Sequence, residues 1–494
     1  MPSLSQLLPV PRRDASPTLV LVIVCAGVVL ASLDLFIVNV ALPQMARDLG
    51  AGSISDLSWV LNAYAIVYAS LLVLFGRLAD RFPRERGFLL GVAVFVAASA
   101  ACGAATSVPM LVAFRIVQAA GAALLTPTSL GLVLATAPAE RRQSSVRIWT
   151  ATGGVSASLG PVIGGLLVAA SWRWVFFVNV PIGLAALWAG WRRLPVVPGH
   201  VIPRPDALGA LLITGGVGAL TLGLVKGGSW GWGSAPTVAV LALSVAALLL
   251  FALHTARARN PMIDRSLLRI RSFTGASLVA LLFSVAFGAL LLSIVLWEQN
   301  VWHWSALHAG LAIAPGPLMV PLFGFVIAGP LIVRYGAGRV IAAGQLLFGV
   351  GLILWALDAH ATPNYASGIL PGMILTGVGV GLTLPTMMAA AASALPPSSF
   401  ATGSAVVNMF RQVGLAIGVA VLIAVVGTPG SRAAALAAFQ RGWVVAAAFS
   451  LAAAVLAPLL LSSRRRAAAG ASESAPAPGA SEAAPAPVTS VTSS

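Results

Sequence analysis

Two ionisable side chains stand deep inside long apolar runs of this sequence. Asp34 is the single charge between Asp14 and Arg47, and Arg115 lies in a later run that also holds Gln118. A charge at the middle of a bilayer costs at least about 3 kcal/mol on insertion scales, so each must face a partner, water or a ligand. Burial favours the protonated carboxyl, while a nearby guanidinium favours the carboxylate. A proton and a cation can therefore compete for Asp34, with Arg115 helping to expel the proton. The same two residues also fit a fixed pair that only ties two helices together.

The elements that position them are membrane spans. Of 494 residues, 59% are hydrophobic and 9% charged, a balance that leaves too little polar surface to cover a soluble fold. The apolar residues fall in runs of about 20 or more, the length that crosses a bilayer as a helix. Fourteen such runs are read, the first over 19–42 and too long for a cleavable signal core. If the N-terminus is cytoplasmic, twenty-two basic residues fall in cytoplasmic joints and five outside, so both termini are expected in the cytoplasm. The formal charge of +16 thus reports topology and not nucleic acid, for which no motif is present. Trp172, Trp174, Trp230, Trp232, Trp302 and Trp304 cluster where outer interfaces are expected and read as membrane anchors. Cys25 and Cys102, both inside runs, read as packing residues.

The chain echoes itself. Gly76 to Arg86 parallels Gly329 to Arg339 at an offset of 253, and Gly160 and Gly164 parallel Gly414 and Gly418 at 254. Gly121-x-x-Leu124-x-x-Pro127-Thr128 parallels Gly379-x-x-Leu382-x-x-Pro385-Thr386 at 258. Three matches in order indicate duplication of a six-helix unit, with two spans inserted between the copies. The expected organisation is an N-terminal segment (1–18), a six-helix half (19–191), two inserted helices with their loops (192–272), a second half (273–462) and a disordered tail (463–494). Two such halves with a midplane site between them is an architecture of secondary transporters. Charge is concentrated in the first copy, since Val333 stands opposite Asp80 and Met373 opposite Arg115.

Several motifs carry a family resemblance. The joint with Gly76, Asp80, Arg81 and Arg84 resembles the loop between spans 2 and 3 of the major facilitator superfamily, with Pro83 where Gly is usual. A carboxylate and guanidiniums in a tight joint can lock helix ends together and release them, and the resemblance implies a cytoplasmic gate. Arg115-Ile-Val-Gln118-Ala-Ala-Gly121 resembles the span-4 motif linked in the family with proton transfer, Ala119 replacing a Gly. Gly153-Gly154 followed by Gly160-Pro161-Val-Ile-Gly164-Gly165 resembles the span-5 motif that marks antiporters. Asp34 to Pro43 and Trp172 to Gly183 resemble segments of the fourteen-helix drug:proton antiporters. The resemblance covers about residues 18–462 and implies an all-α integral membrane fold of 6+2+6 helices.

On that reading the chain exports amphipathic or cationic small molecules, such as drugs or antibiotics, in exchange for protons across the cytoplasmic membrane. Asp34 and Arg115 would couple the proton. Gln118, Glu298, Asn408, Arg411 and Gln412 are candidates to line the substrate cavity. Glu298, at the end of the run over 273–297, reads first as a solvated interfacial residue and second as one that recruits cations. His303 and His308 have no metal-ligand company, so no metal is expected. No cofactor is expected, the proton gradient supplying the energy, and the working unit is expected to be a monomer in the lipid bilayer. A dedicated exporter of one metabolite fits equally well. An intramembrane enzyme is the more distant alternative, because the sequence holds no His-Glu-x-x-His, no Ser-x-x-Lys and no P-loop.

Overall fold

In hydrocarbon every backbone N–H and C=O must be satisfied within its own segment, and the apolar runs accordingly form helices. The structure, a computed structural model, describes residues 15–50, 54–198, 206–393 and 400–461. The first half contains α1 (Pro17–Asp48), α2 (Ile54–Arg81), α3 (Arg84–Gly103), α4 (Val108–Thr136), α5 (Ala139–Ala170) and α6 (Trp174–Arg193). The two inserted helices are α7 (Ala207–Trp230) and α8 (Ala235–Arg257). A short helix, Arg265–Arg269, leads into the second half. That half contains α9 (Arg271–Val301), α10 (Ala306–Tyr335), α11 (Ala337–Asp358), α12 (Tyr365–Ala391), α13 (Phe400–Val426) and α14 (Arg432–Leu461). Thirteen of these are long and apolar enough to cross a membrane, and α5 supplies the fourteenth, its apolar part being Leu159–Ala170. No strand occurs among the described residues. The expected tail lies outside them.

Local chemistry starts and interrupts these helices. Ser16 caps α1, its hydroxyl accepting from the Leu19 N–H at 3.3 Å ahead of Pro17, and Ser107 caps α4 through the Met110 N–H at 3.4 Å. Helix α6 is broken at Val178, between Trp174–Phe177 and Asn179–Arg193.

Each packing pair in the first half has a counterpart in the second. The pairs α1–α5, α3–α4, α3–α6 and α2–α4 answer to α9–α13, α11–α12, α11–α14 and α10–α12. The halves meet along two seams, α2 against α13 and α5 against α10, and α7 lies over the first of them. Lys226 of α7 pairs there with Asp56 of α2. Close approach depends on small residues, since burial of apolar surface drives no association in lipid. A Cβ on Gly121 would lie 2.6 Å from the Phe95 backbone N, so α3 and α4 touch backbone to backbone.

The tryptophans divide. Trp174, Trp230 and Trp232 are exposed, as membrane anchors should be, but Trp172 and Trp302 are buried. The expectation that all six are anchors is corrected: Trp172 stacks edge-on against Phe176 and Trp302 against Trp297, so both are packing residues.

The two inserted helices and the loop that follows them are joined through one carboxylate. Asp206 caps α7, accepting from the Gly209 N–H at 2.8 Å and the Met262 N–H at 2.9 Å, with His254 Nε2 of α8 also 2.9 Å away. Burial pushes the Asp206 carboxyl up, but the Gly209, His254 and Met262 bonds outweigh it and hold it below its usual range. A carboxyl lowered by folding stabilises the fold above its unfolded value of about 3.9 and loses that contribution as pH falls through its folded value. Asp206→Ala is therefore expected to cost about 1 kcal/mol at neutral pH in thermal melts. The gap to wild type should narrow as the pH is taken below about 4.

Candidate functional site

The two charged residues that the sequence places in spans meet inside the first half. Asp34 of α1 and Arg115 of α4 are both fully buried, and Arg115 Nη1 pairs with Asp34 Oδ2. Asp34 Oδ1 accepts from Gln118 Nε2 at 2.8 Å and from Asn179 Nδ2 at 3.1 Å. Ser99 of α3 knits the two amides together, its Oγ accepting from Gln118 Nε2 at 3.1 Å and Asn179 Nδ2 at 2.9 Å while donating to the Phe176 carbonyl. The carboxylate thus holds three donors from two helices and a guanidinium charge, which offsets its desolvation.

Arg115 reaches further. Its Nε donates to the Val60 carbonyl of α2 at 3.1 Å, Nη1 also donates to Gln118 Oε1 at 2.7 Å, and its guanidinium lies 4.1 Å over the Tyr64 ring. Nη2 has no hydrogen-bond partner. Tyr64 stacks on Tyr68, whose hydroxyl meets Thr126 Oγ1 at 3.1 Å. Tyr68 in turn lies within electrostatic reach of Arg411 on α13. Two tyrosines on one face of α2 therefore stand between an arginine of each half.

One cavity candidate changes place. Gln118 is fully buried and spent on Asp34, Arg115 and Ser99, so it belongs to the ion-pair cluster and does not line a cavity. Three residues apart, Gln118 and Arg115 share one helical face, and that face turns toward α1 and α3. The remaining candidates on α13 sit at the seam with α2. Asn408 Nδ2 donates to the Ser404 carbonyl at 3.1 Å, Arg411 Nη1 donates to Asn408 Oδ1 at 2.9 Å, and Arg411 Nε and Gln412 Oε1 are unpartnered.

Glu298 requires a larger correction. It is fully buried in a π-turn, Trp297–Val301, that carries α9 beyond its expected end, and is not a solvated interfacial residue. Nothing in the sequence marks that turn.

The glycine run on α5 makes two contacts at once. A Cβ on Gly160 would lie 2.6 Å from Phe36 Cβ, and one on Gly164 would lie 3.1 Å from Ile37, both on α1. A Cβ on Gly165 would meet the Ala306 carbonyl of α10 at 2.7 Å, and one on Gly310 of α10 would meet the Pro161 carbonyl at 2.4 Å. The run wedges α5 between the helix of Asp34 and the opposite half. The surroundings of Gly154 lie outside the described residues.

At the arginine-rich end, a Cβ on Gly76 would stand 4.0 Å from Ala405 Cβ, across the α2–α13 seam. Arg84 Nη1 donates to the Gly131 carbonyl of α4 at 3.0 Å, and Arg81 is exposed. The Asp80 side chain lies outside the described residues. Sequence reasoning missed Glu85, which is buried and accepts from the Val197 N–H at 3.0 Å. Its signal was an acidic residue in the first turn of a helix. At the other end a cavity of about 310 Å³ opens between α1, α2 and α9, lined by Pro43, Arg47, Ser58, Leu296, Gln299 and His303 among others.

The model of the Major Facilitator Superfamily matches this chain twice, over residues 24–322 and 276–492. The chain belongs to the major facilitator superfamily. It is 33% identical over 408 residues to the tetracenomycin C resistance and export protein of Streptomyces glaucescens, covering 82% of this chain and 75% of that one. It is 35% identical over 458 residues to the cephamycin export protein of Amycolatopsis lactamdurans, covering 90% and 93%. With the multidrug export protein of Haemophilus influenzae it shares 31% identity over 394 residues, covering 78% and 76%. Among solved structures, an auto-inhibited peptide transporter of the POT family superposes with a TM-score of 0.68 at 19% identity, covering 90% of this chain and 97% of that one. That likeness shows the shared fold. The chain is therefore a multi-pass membrane transporter of this superfamily.

Proposed function

We propose that this protein exports amphipathic, often cationic, small molecules such as drugs or antibiotics across the cytoplasmic membrane in exchange for protons. The observation that carries the reading is the fully buried Asp34 carboxylate, held by Arg115 and by the amides of Gln118 and Asn179. Resistance and export proteins among the relatives support the direction, and the arginine-rich joints support cytoplasmic termini. The protein works as a monomer without a cofactor.

A proton arriving on Asp34 removes the charge that pairs with Arg115. The guanidinium then keeps only the Val60 carbonyl, Gln118 and the Tyr64 face, and α1 loses its strongest tie to α4. Because Gly160 and Gly164 seat α5 directly on α1, and Gly165 seats it on α10, a shift of α1 reaches the seam between the halves. This is alternating access driven by one protonation. Dye export from energised everted vesicles tests it: accumulation that collapses with a protonophore supports the reading, and accumulation indifferent to the proton gradient refutes it.

A dedicated exporter is the second reading, favoured by relatives named for one compound, as the cephamycin export protein is. A panel of unrelated cations in the same assay separates the two.

A further inference from the structure

Glu298 is the buried ionisable group that the Asp34 mechanism does not use. It is fully buried, and neither carboxyl oxygen has a hydrogen-bond partner. Its backbone carbonyl accepts from the Trp304 N–H at 3.0 Å. The titratable and charged groups packed around the turn are already occupied or turned elsewhere. The Tyr365 hydroxyl of α12, within electrostatic reach, donates to the Ala312 carbonyl at 2.7 Å. Arg432 of α14 donates to the Val301 carbonyl at 2.7 Å, His308 of α10 stacks on Trp304 at 3.9 Å, and His303 lines the cavity. An ionised carboxylate with no donor costs several kcal/mol in such a place, so Glu298 carries its proton in this conformation. Even as a neutral acid its O–H goes unmade, a loss that a purely structural residue would have no reason to keep.

Its neighbours show how the proton can leave. Leu296, Gln299, Asn300 and His303, on either side of Glu298 in sequence, line the cavity, while Glu298 itself is buried. Gln299 Nε2 donates to the Val40 carbonyl of α1 at 3.0 Å, a bond between the two halves. The π-turn that holds this arrangement is a rare irregularity of a kind found frequently at functional sites. His303, with φ of 56°, stores strain at its end. Val40 sits six residues beyond Asp34 on the same helix, about 9 Å along its axis.

We infer that Glu298 is a second proton-carrying site, in the second half, gated by the Gln299–Val40 bond. When the halves part at this end the bond breaks and Glu298 reaches the cavity. There its O–H bond breaks to water, leaving a carboxylate that a proton or a cationic ligand group can claim. Helix α1 links this site to Asp34. The inference rests on the proton-coupled reading for its role in transport, but its test does not.

The test is infrared spectroscopy of the purified protein in lipid nanodiscs, without substrate. Wild type should show the carbonyl stretch of a protonated, non-hydrogen-bonded carboxylic acid at neutral pH. Glu298→Gln should lose it, and Asp34→Asn should retain it. Gln299→Ala, which opens the gate, should make the band titrate with bulk pH. No band, or a band that survives Glu298→Gln, overturns the protonated site. A band untouched by Gln299→Ala overturns the gate. Since no transport is measured, failure of dye export would count against the export reading alone.

Discussion

Arg115→Ala is expected to destabilise the protein by about 3–5 kcal/mol, because it leaves a buried carboxylate without its cation. Asp34 would keep only the Gln118 and Asn179 amides, and it has no exposed surface through which water could replace the guanidinium. The cation–π contact with Tyr64 and the tie to the Val60 carbonyl are lost in the same step. The double variant Asp34→Asn with Arg115→Gln should recover most of the loss, since two neutral amides leave no unpaired buried charge. Thermal melts of the purified single and double variants measure this directly. An Arg115→Ala protein as stable as wild type would show that Asp34 is not charged in the folded state.

The second large effect is expected at the α5–α10 seam. Gly310→Ala puts a methyl 2.4 Å from the Pro161 carbonyl, and Gly165→Ala puts one 2.7 Å from the Ala306 carbonyl. Both obstacles are backbone, so the helices themselves must separate. Such overpacking costs about 1–3 kcal/mol and should hold the halves apart at this end. Export should fall to background in both variants while the protein still reaches the membrane. Gly215→Ala on α7, which would meet nothing within 4 Å, is the control and should export normally. Normal export by Gly310→Ala would mean that export does not require the seam to close as tightly as it does here.

The spans were legible because a bilayer demands long apolar helices, and the sequence shows thirteen of them as long apolar stretches, with α5 apolar only over Leu159–Ala170. The Asp34–Arg115 pair was legible for the complementary reason: two costly charges in hydrocarbon must find partners. What spacing cannot give is which way a helical face turns. Gln118 shares a face with Arg115, yet only the packing of α3 and α1 decides that this face looks into the half and not into a cavity. Ser99 and Asn179 read in the sequence as ordinary small or polar residues within apolar segments, and only the packing of α6 against α1 and of α3 against α6 brings them into the Asp34 cluster. Glu298 lay at the edge of its run, where water was the natural expectation. The π-turn that buries it follows from contacts with α10 and α14, which no local pattern encodes.

The central claim is that proton exchange runs through Asp34. Its most direct test is substrate-driven proton movement in everted vesicles, compared between wild type and Asp34→Asn at equal membrane levels. Proton release by wild type on addition of an exported cation, and none by Asp34→Asn, is the predicted result. Undiminished release by the variant would contradict it and leave the buried pair as a structural tie.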